Sequence, residues 1–113
     1  MFYKFNHLTN KYVKIVPDNI LDLMDPIVLA YLIQGDGNFD KSRNRVRIYT
    51  NSYHKLEVEN LALAIKTKLN IYTEKLHDRK DQWILTIGAN NLDLLRKIVI
   101  PYFHPTMYYR LGL

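Results

Sequence analysis

The sequence predicts an α+β domain in which helices pack on one antiparallel sheet. Three observations predict this class. Apolar residues run from 27 to 33 and stop at two glycines that flank an aspartate. Charged and apolar residues alternate from 45 to 49, and apolar residues recur at three- and four-residue steps from 58 to 69. With the hairpin and helix that follow, the predicted order is helix, two strands, helix, two strands and helix.

Composition restricts the class of protein. The 113 residues suffice for one domain with a single core. Sixteen lysines and arginines against eleven acids give a net charge of +5, which suits a polyanionic partner such as nucleic acid. The lack of cysteine excludes disulfides and thiolate metal sites and favours a reducing compartment. No apolar run reaches the roughly 18 residues of a membrane span, and the N-terminal stretch resembles neither a secretory signal nor a transit peptide.

The chain divides into an N-terminal arm or linker at residues 1–24 and one folded domain at residues 25–113. The domain opens with a helix. The Asp25 side chain can accept a hydrogen bond from the first turn, and Pro26 has no N–H that would be left unpaired there. The glycine–aspartate–glycine stretch at 35–37 ends this helix and permits a close approach of the backbone.

The remaining elements follow from periodicity and turn residues. Val46 and Ile48 face the core from one strand, so Arg45, Arg47 and Tyr49 share the opposite face of that strand. The other predicted elements are a helix at about 55–69 capped by Asn51 and Ser52, a β-hairpin with strands 71–77 and 82–87 around a turn at 78–81, a helix at about 91–99 and a short helix at 107–111.

The nine residues from Leu29 to Gly37 resemble the motif for which the LAGLIDADG homing endonuclease family is named. Their sequence, LAYLIQGDG, agrees at six of nine positions, including the closing aspartate–glycine pair. The αββαββ order resembles the half-domain of this family, and residues 94–112 resemble the C-terminal segments of its fungal and algal mitochondrial members. The resemblance implies that residues 25–113 form an αββαββα half-domain with a saddle-shaped antiparallel sheet, similar to the C-terminal half of organellar double-motif members.

The resemblance also implies metal-dependent cleavage of both strands of double-stranded DNA. In this family two motif helices pack side by side, one from each half, and each brings its last acid to the scissile phosphates. That acid is Asp36 here, the implied catalytic residue, which with the Gly35 carbonyl would bind Mg²⁺ or another divalent cation. The implied contacts to the second half are Leu29, Ala30, Tyr31, Ile33, Gln34 and Gly35.

The strands of this family form its DNA-binding saddle. Arginine can read guanine with two hydrogen bonds and lysine mainly contacts phosphate, so basic residues on both predicted hairpins suit this role. The implied DNA-binding residues of the first hairpin are Asn38, Lys41, Arg43, Arg45, Arg47 and Tyr49. Those of the second hairpin are Lys75, His77, Arg79, Lys80 and Gln82.

The chain departs from the family pattern at three points. It carries one motif, so the site needs a homodimer, or a second half that is encoded separately or was cut from a longer reading frame. Tyr31 replaces the small residue that lets motif helices approach, and two facing tyrosines would crowd a symmetric interface. Family members often carry a lysine after the fourth strand, whereas residues 88–91 here read Gly-Ala-Asn-Asn, so a cation that would support the cleaved phosphate is missing.

Two functions therefore stay open. The first is a subunit of a site-specific homing endonuclease. The second is an intron RNA maturase or a non-catalytic derivative that binds structured RNA or DNA, and the missing lysine and single acid favour it. A generic α/β enzyme is disfavoured because no nucleophile–base constellation is present, and the four histidines lack metal-ligand spacing. The resemblance also implies a location in the mitochondrial or another organellar matrix.

Overall fold

Four antiparallel strands form one sheet against which the long helices pack, and this confirms the predicted α+β class. The computed structural model describes residues 3–113, without the side chain of Val13. Its elements are β1 (Tyr3–Asn6), β2 (Lys11–Lys14), α1 (Ile20–Leu23), α2 (Pro26–Asp36), β3 (Gly37–Asp40), β4 (Arg45–Ile48), α3 (Lys55–Leu69), β5 (Glu74–Arg79), β6 (Gln82–Ile87), α4 (Ala89–Val99) and two 3₁₀ helices (Ile100–Tyr102 and Pro105–Leu111). The strand order in the sheet is β3-β4-β6-β5. None of the helices in residues 3–113 has the length and apolarity needed to cross a membrane.

Helix α2 begins as predicted and passes directly into β3. The Asp25 carboxylate accepts a hydrogen bond of 2.8 Å from the Val28 N–H, and Pro26 occupies the first helical position. At the other end, the Gly37 N–H donates to the Ile33 carbonyl. A Cβ at Gly37 would lie 2.4 Å from that carbonyl oxygen, so the junction requires glycine. The last residue of α2 therefore lies at the end of the sheet where β3 starts.

The sheet has a helix-side face and an open face. Val46 and Ile48 pair with Ile87 and Leu85, and all four side chains are fully buried, as predicted for the core. Paired residues point to the same side of a sheet, so the register defines the opposite face as well. The open face, which we call the saddle face, carries Asn38, Asp40, Arg45, Arg47, Glu74, Leu76, Ile84 and Thr86.

The segment predicted as an arm has structure of its own. Strands β1 and β2 form a separate two-stranded sheet, and the short helix α1 follows. Val16, Ile20 and Met24 are buried in the same core as the rest of the chain, and the Val16 N–H donates to a Glu57 carboxylate oxygen at 2.8 Å. The segment is thus attached to the domain by apolar burial and a hydrogen bond. The division at residue 24 stays a prediction, and the first two residues of the arm lie outside the described residues.

One predicted cap and several predicted element ends were wrong for identifiable reasons. Helix α3 is capped at His54, whose N–H donates to Glu57, because the Asn51 amide is engaged elsewhere, by Asp78 and Gln82. Strand β5 starts at 74 rather than 71. It continues to 79, because a bulge and a left-handed Lys80 (φ 33°) shorten the turn to two residues. The last short helix is 3₁₀ and begins at residue 105.

Candidate nucleic-acid interface and cleavage site

Asp36 lies at the end of α2, directly before the first residue of β3. Its carbonyl oxygen accepts a hydrogen bond of 2.9 Å from the Tyr49 N–H, which fixes the end of α2 to the residue after β4. Its carboxylate is only 16% exposed, and Lys14 Nζ donates to Oδ1 at 3.1 Å. The second oxygen, Oδ2, is buried and has no hydrogen-bond partner among the described residues. One carboxylate oxygen is thus held and the other is unpaired.

A buried tyrosine lies near this carboxylate. Tyr53 is 3% exposed, and burial followed by the negative charge of Asp36 raises the pKa of its hydroxyl above the ordinary value of 10.0. Neither Tyr53 nor Lys14 was among the predicted site residues. Both are remote from Asp36 in sequence, and no local motif marks them, so only the tertiary fold brings them together.

The donor set of one chain suits part of a divalent-cation site. A carboxylate oxygen without a partner is a ligand that hard cations such as Mg²⁺ or Ca²⁺ accept, and Gly35, on the same helical turn, is exposed. In residues 3–113 no cluster of three or more histidine, aspartate or glutamate side chains can enclose a metal ion. The residues therefore fit a cation that takes its other ligands from outside this chain.

The saddle face holds a cluster of hydrogen-bonded arginines at its β3–β4 side. Arg47 Nη2 donates to Asn38 Oδ1 at 3.0 Å, and its guanidinium lies 5.7 Å from the centre of the Tyr49 ring. Arg45 Nε donates to Asp40 Oδ2 at 3.1 Å. Four of the predicted residues are therefore neighbours on this face: Asn38, Arg45, Arg47 and Tyr49. Arg47 contacts both Asn38 and Tyr49. This arrangement reduces the entropy that these arginines would lose on contacting a ligand.

Asp40 organises this cluster and was not among the predicted site residues. Its carboxylate is 7% exposed and accepts hydrogen bonds from Ser42, Arg43 and Arg45, while Arg47 Nη1 lies 4.0 Å away. The Ser42 hydrogen bond and then the arginines lower its pKa from 3.8 to about 2, against the opposing effect of burial. Asp40 is thus ionised at neutral pH and holds cationic side chains on the saddle face.

The two hairpin turns present further predicted residues to solvent. Lys41 and Arg43 are exposed in the turn between β3 and β4, and Lys80 is exposed in the turn between β5 and β6. Arg79 pairs with Gln82. Gln82 has the same strand parity as Ile84 and Thr86, and the bulge at residue 78 brings Arg79 to that side as well. These residues extend the basic surface beyond the arginine cluster.

The prediction that Lys75 and His77 share the saddle face was wrong. Lys75 pairs with buried Leu85 and His77 pairs with Trp83, so both point to the helix side of the sheet. Lys75 Nζ donates to Glu59 of α3 at 2.8 Å, which lowers the pKa of Glu59, and lies 4.8 Å from the Trp83 ring centre. The His77 ring is 4.7 Å from the same tryptophan. The physical reason is the register of β5 on β6, which pairs the odd-numbered residues 75 and 77 with residues on the helix side of the sheet and places even-numbered residues on the saddle face.

The predicted interface residues separate into exposed and buried sets. Tyr31 is 61% exposed and lies between Ile27 and Gly35 in an exposed stripe of α2. Leu29, Ala30 and Ile33 are completely buried in the core of this chain and leave no surface for a partner. Gln34 is half-buried, donates to the Tyr102 carbonyl and accepts from the His104 N–H, so it fixes the C-terminal segment to α2.

The stretch at 88–91, where the expected lysine is missing, lies away from Asp36. Residue 88 follows Ile87, which pairs with Val46, whereas Asp36 precedes Gly37, which pairs with Ile48. Residues 88–91 border a concavity together with Arg43, Arg45, Glu74 and Thr86, at the end of the sheet where β3 turns into β4. Residues 88–91 and Asp36 therefore lie at opposite ends of β4.

Sequence comparison places these features in a family. Residues 1–95 match the LAGLIDADG DNA endonuclease family. The intron-encoded endonuclease ai4 of Dictyostelium discoideum is 34% identical over all of this chain and 67% of its own length. The cytochrome b mRNA maturase bI2 of Saccharomyces cerevisiae is 28% identical over 88% of this chain but only 24% of its own length.

Structural comparison gives the same fold. The homing endonuclease I-WcaI bound to its DNA recognition sequence superposes with a TM-score of 0.78 at 23% identity, over 97% of this chain and 62% of that one. The chain spans between about a quarter and two thirds of the lengths of these three proteins. The match over most of the sequence and the shared fold agree with the motif at the end of α2. The chain belongs to the LAGLIDADG DNA endonuclease family.

Proposed function

We propose that this chain is one half of a homing endonuclease that cuts double-stranded DNA with the aid of divalent cations. The observation that carries the proposal is the carboxylate of Asp36, which ends α2 at the edge of a basic saddle face and has one buried, unpaired oxygen. A buried carboxylate oxygen without a partner is costly in a folded protein, and such costs are typical of functional sites. Membership of the LAGLIDADG family supports a role for this oxygen as a ligand of a divalent cation.

Asp36, with the Gly35 carbonyl, would hold the cation, for which Mg²⁺ is the best candidate because it accepts few protein ligands and keeps water and phosphate ligands. When bound, a divalent cation polarises a phosphate and stabilises the attacking and leaving oxygens. The protein's own part is to position the DNA. Arg45, Arg47 and Asn38 offer hydrogen-bond donors and acceptors to base edges, and the exposed lysines and arginines of the turns contact phosphates.

A second half completes this site, because one chain supplies a single acid. The exposed stripe of α2, Ile27, Tyr31 and Gly35, is the surface through which we expect the second half to pack. The partner is either a second copy of this chain or a separate half-domain. A small residue opposite Tyr31 would fit more easily than a second tyrosine.

The experiment is cleavage of a plasmid library that carries randomised sites, with Mg²⁺ and sequencing of the cut products. We expect the parent chain, as a homodimer or together with its second half, to cut a subset of sites and Asp36→Asn to cut none, because the amide cannot supply a charged cation ligand. Asp93→Asn removes an exposed carboxylate from α4 and is the matched control, with cleavage retained. Cleavage by Asp36→Asn at the parental rate would show that the acid is misassigned.

RNA binding is the second candidate, because the relatives include cytochrome b mRNA maturases from two yeasts. Under that function the saddle face contacts structured intron RNA, and Asp36→Asn leaves binding unchanged. Comparing the affinity for a structured RNA with that for a DNA duplex discriminates the two functions. The salt concentration must be the same in both measurements, since salt weakens both affinities. The same relatives support action in a mitochondrion or another organelle, which a fluorescent fusion would test.

A further inference from the structure

Lys14 is the cationic group that contacts the proposed catalytic carboxylate. It ends β2 in the N-terminal hairpin, and its Nζ lies 3.1 Å from Asp36 Oδ1. The two side chains are 32% and 16% exposed, so the pair is partly shielded from solvent. Shielding makes such a pair stronger than one on the open surface, and it makes the loss of either partner costly.

The fold keeps Lys14 in this place. The hairpin that carries it is paired along its length, from Tyr3 opposite Lys14 to Asn6 opposite Lys11. Two residues after Lys14, Val16 is buried, and its N–H donates to Glu57 of α3 at 2.8 Å. Lys14 is thus tethered at its strand and just beyond it, and its flexible side chain can move while its backbone stays fixed.

The arginines of the cluster at β3 and β4 are engaged elsewhere. Arg45 and Arg43 bind Asp40, and Arg47 binds Asn38. The stretch at 88–91 lies at the far end of β6 and carries no cation. Among the described residues, Lys14 is therefore the cation that forms an ion pair with Asp36.

A divalent cation and the Lys14 ammonium compete for the same carboxylate. An ammonium about 3 Å from a ligand oxygen repels a second positive charge, and this repulsion grows where the effective dielectric constant is low. The carboxylate, in turn, is poorly hydrated and needs a counter-charge when no metal ion is bound. One positive group on Asp36 therefore weakens the binding of the other.

We propose that Lys14 is the resident counter-ion of Asp36 and that a divalent cation displaces it when the cleavage site is loaded. The inference rests on the proposed function, because it assigns the cation site to Asp36. Lys14 then sets the concentration of cation at which the site fills. Once displaced, its ammonium is a mobile positive charge beside the position of the scissile phosphate.

A double-mutant cycle tests this exchange. The melting temperatures of the parent chain, Lys14→Met, Asp36→Asn and the double variant are measured in EDTA and in MnCl₂. In EDTA we expect Lys14→Met to lower the melting temperature by about 4 °C, and to change it little when residue 36 is already asparagine. In MnCl₂ the loss disappears, because Mn²⁺ then neutralises the carboxylate. Lys11→Met, on the exposed side of the same hairpin, is the matched control.

Cleavage gives an independent reading. Lys14→Met should reach half-maximal cleavage at a several-fold lower Mg²⁺ concentration than the parent chain. The inference is overturned if the loss in Lys14→Met persists undiminished in MnCl₂, or if it is the same with aspartate and asparagine at position 36. If Asp36→Asn abolishes cleavage but the effect of Lys14→Met on the melting temperature is the same with and without Mn²⁺, only the role of Lys14 is refuted. Cleavage retained by Asp36→Asn refutes the proposed function itself.

Discussion

At the scale of single residues, the sequence predicted the kind of chemistry but not the supporting contacts. Asp36 was recognised because it closes a contiguous motif, and Arg45 and Arg47 because they alternate with apolar residues. Asp40 and Lys14 were missed. The role of Asp40 depends on the register that sets β3 beside β4, and that of Lys14 on a contact across 22 positions in the sequence. Neither relation leaves a local pattern.

Asp40 makes a prediction about pH. Because its pKa in the folded chain is about 2, below the ordinary value of 3.8, its ionised form stabilises the fold. This contribution is fully present above pH 4 and is lost as the pH falls towards 2. We therefore expect Asp40→Asn to be less stable than the parent at pH 7 and to lose less stability between pH 4 and pH 2, as measured by urea unfolding.

The control for this prediction is Asp93→Asn, which removes an exposed carboxylate from α4 and should retain the acid dependence of the parent chain. If the free energy of unfolding of Asp40→Asn fell between pH 4 and pH 2 as steeply as that of the parent chain, the lowered pKa of Asp40 would be contradicted. Asp40 would then not bind its arginines in solution.

At the scale of elements, helices were predicted better than strands. The ends of α3 agreed with the prediction, since its apolar positions recur over four turns and Lys55 follows directly on the cap. Strand β5 began three residues later than predicted. Ile71 is apolar and buried but precedes the strand, so hydrophobicity alone placed the start too early. The face assigned to Lys75 was wrong for a separate reason: the register pairs Lys75 with buried Leu85, and this register cannot be derived from the strand's own sequence.

The corrected face gives a prediction about DNA affinity. Arg47→Ala should weaken binding of a target duplex about tenfold or more, because Arg47 lies on the saddle face. Lys75→Ala should change that affinity less than about twofold, because its ammonium binds Glu59 on the other side of the sheet. Fluorescence anisotropy at one fixed salt concentration measures both, and circular dichroism verifies that each variant is folded. Equal losses in the two variants would place Lys75 back in the interface.

At the scale of the whole molecule, the αββαββ order was predicted and the N-terminal hairpin was not. Strands β1 and β2 form their own two-stranded sheet, and most of their described side chains are exposed. A strand that buries neither face has no alternation of apolar and polar residues, and periodicity is the main signal for strands. The motif helix was placed correctly, but several of its apolar residues fill the core of this chain rather than the contact with a partner.

The remaining exposed stripe of α2 predicts an association. Light scattering after size exclusion identifies the partner: a homodimer has twice the 13.5 kDa of the chain, and Tyr31→Asp should then give a monomer, because a charge would be buried between two helices. Tyr109→Asp alters an exposed tyrosine of the second 3₁₀ helix and should leave the mass unchanged. A monomeric parent chain would exclude the homodimer and leave a separate second half as the partner.

Trp83 offers a built-in spectroscopic probe. It is the one tryptophan of the sequence, and it lies on the helix side of the sheet, with the ammonium groups of Lys55 and Lys75 at 5.0 and 4.8 Å from its ring centre. Its fluorescence therefore responds to separation of α3 from the sheet, whereas a duplex that docks on the opposite face leaves its surroundings intact. Unfolding and nucleic-acid binding can thus be followed separately in the unlabelled protein.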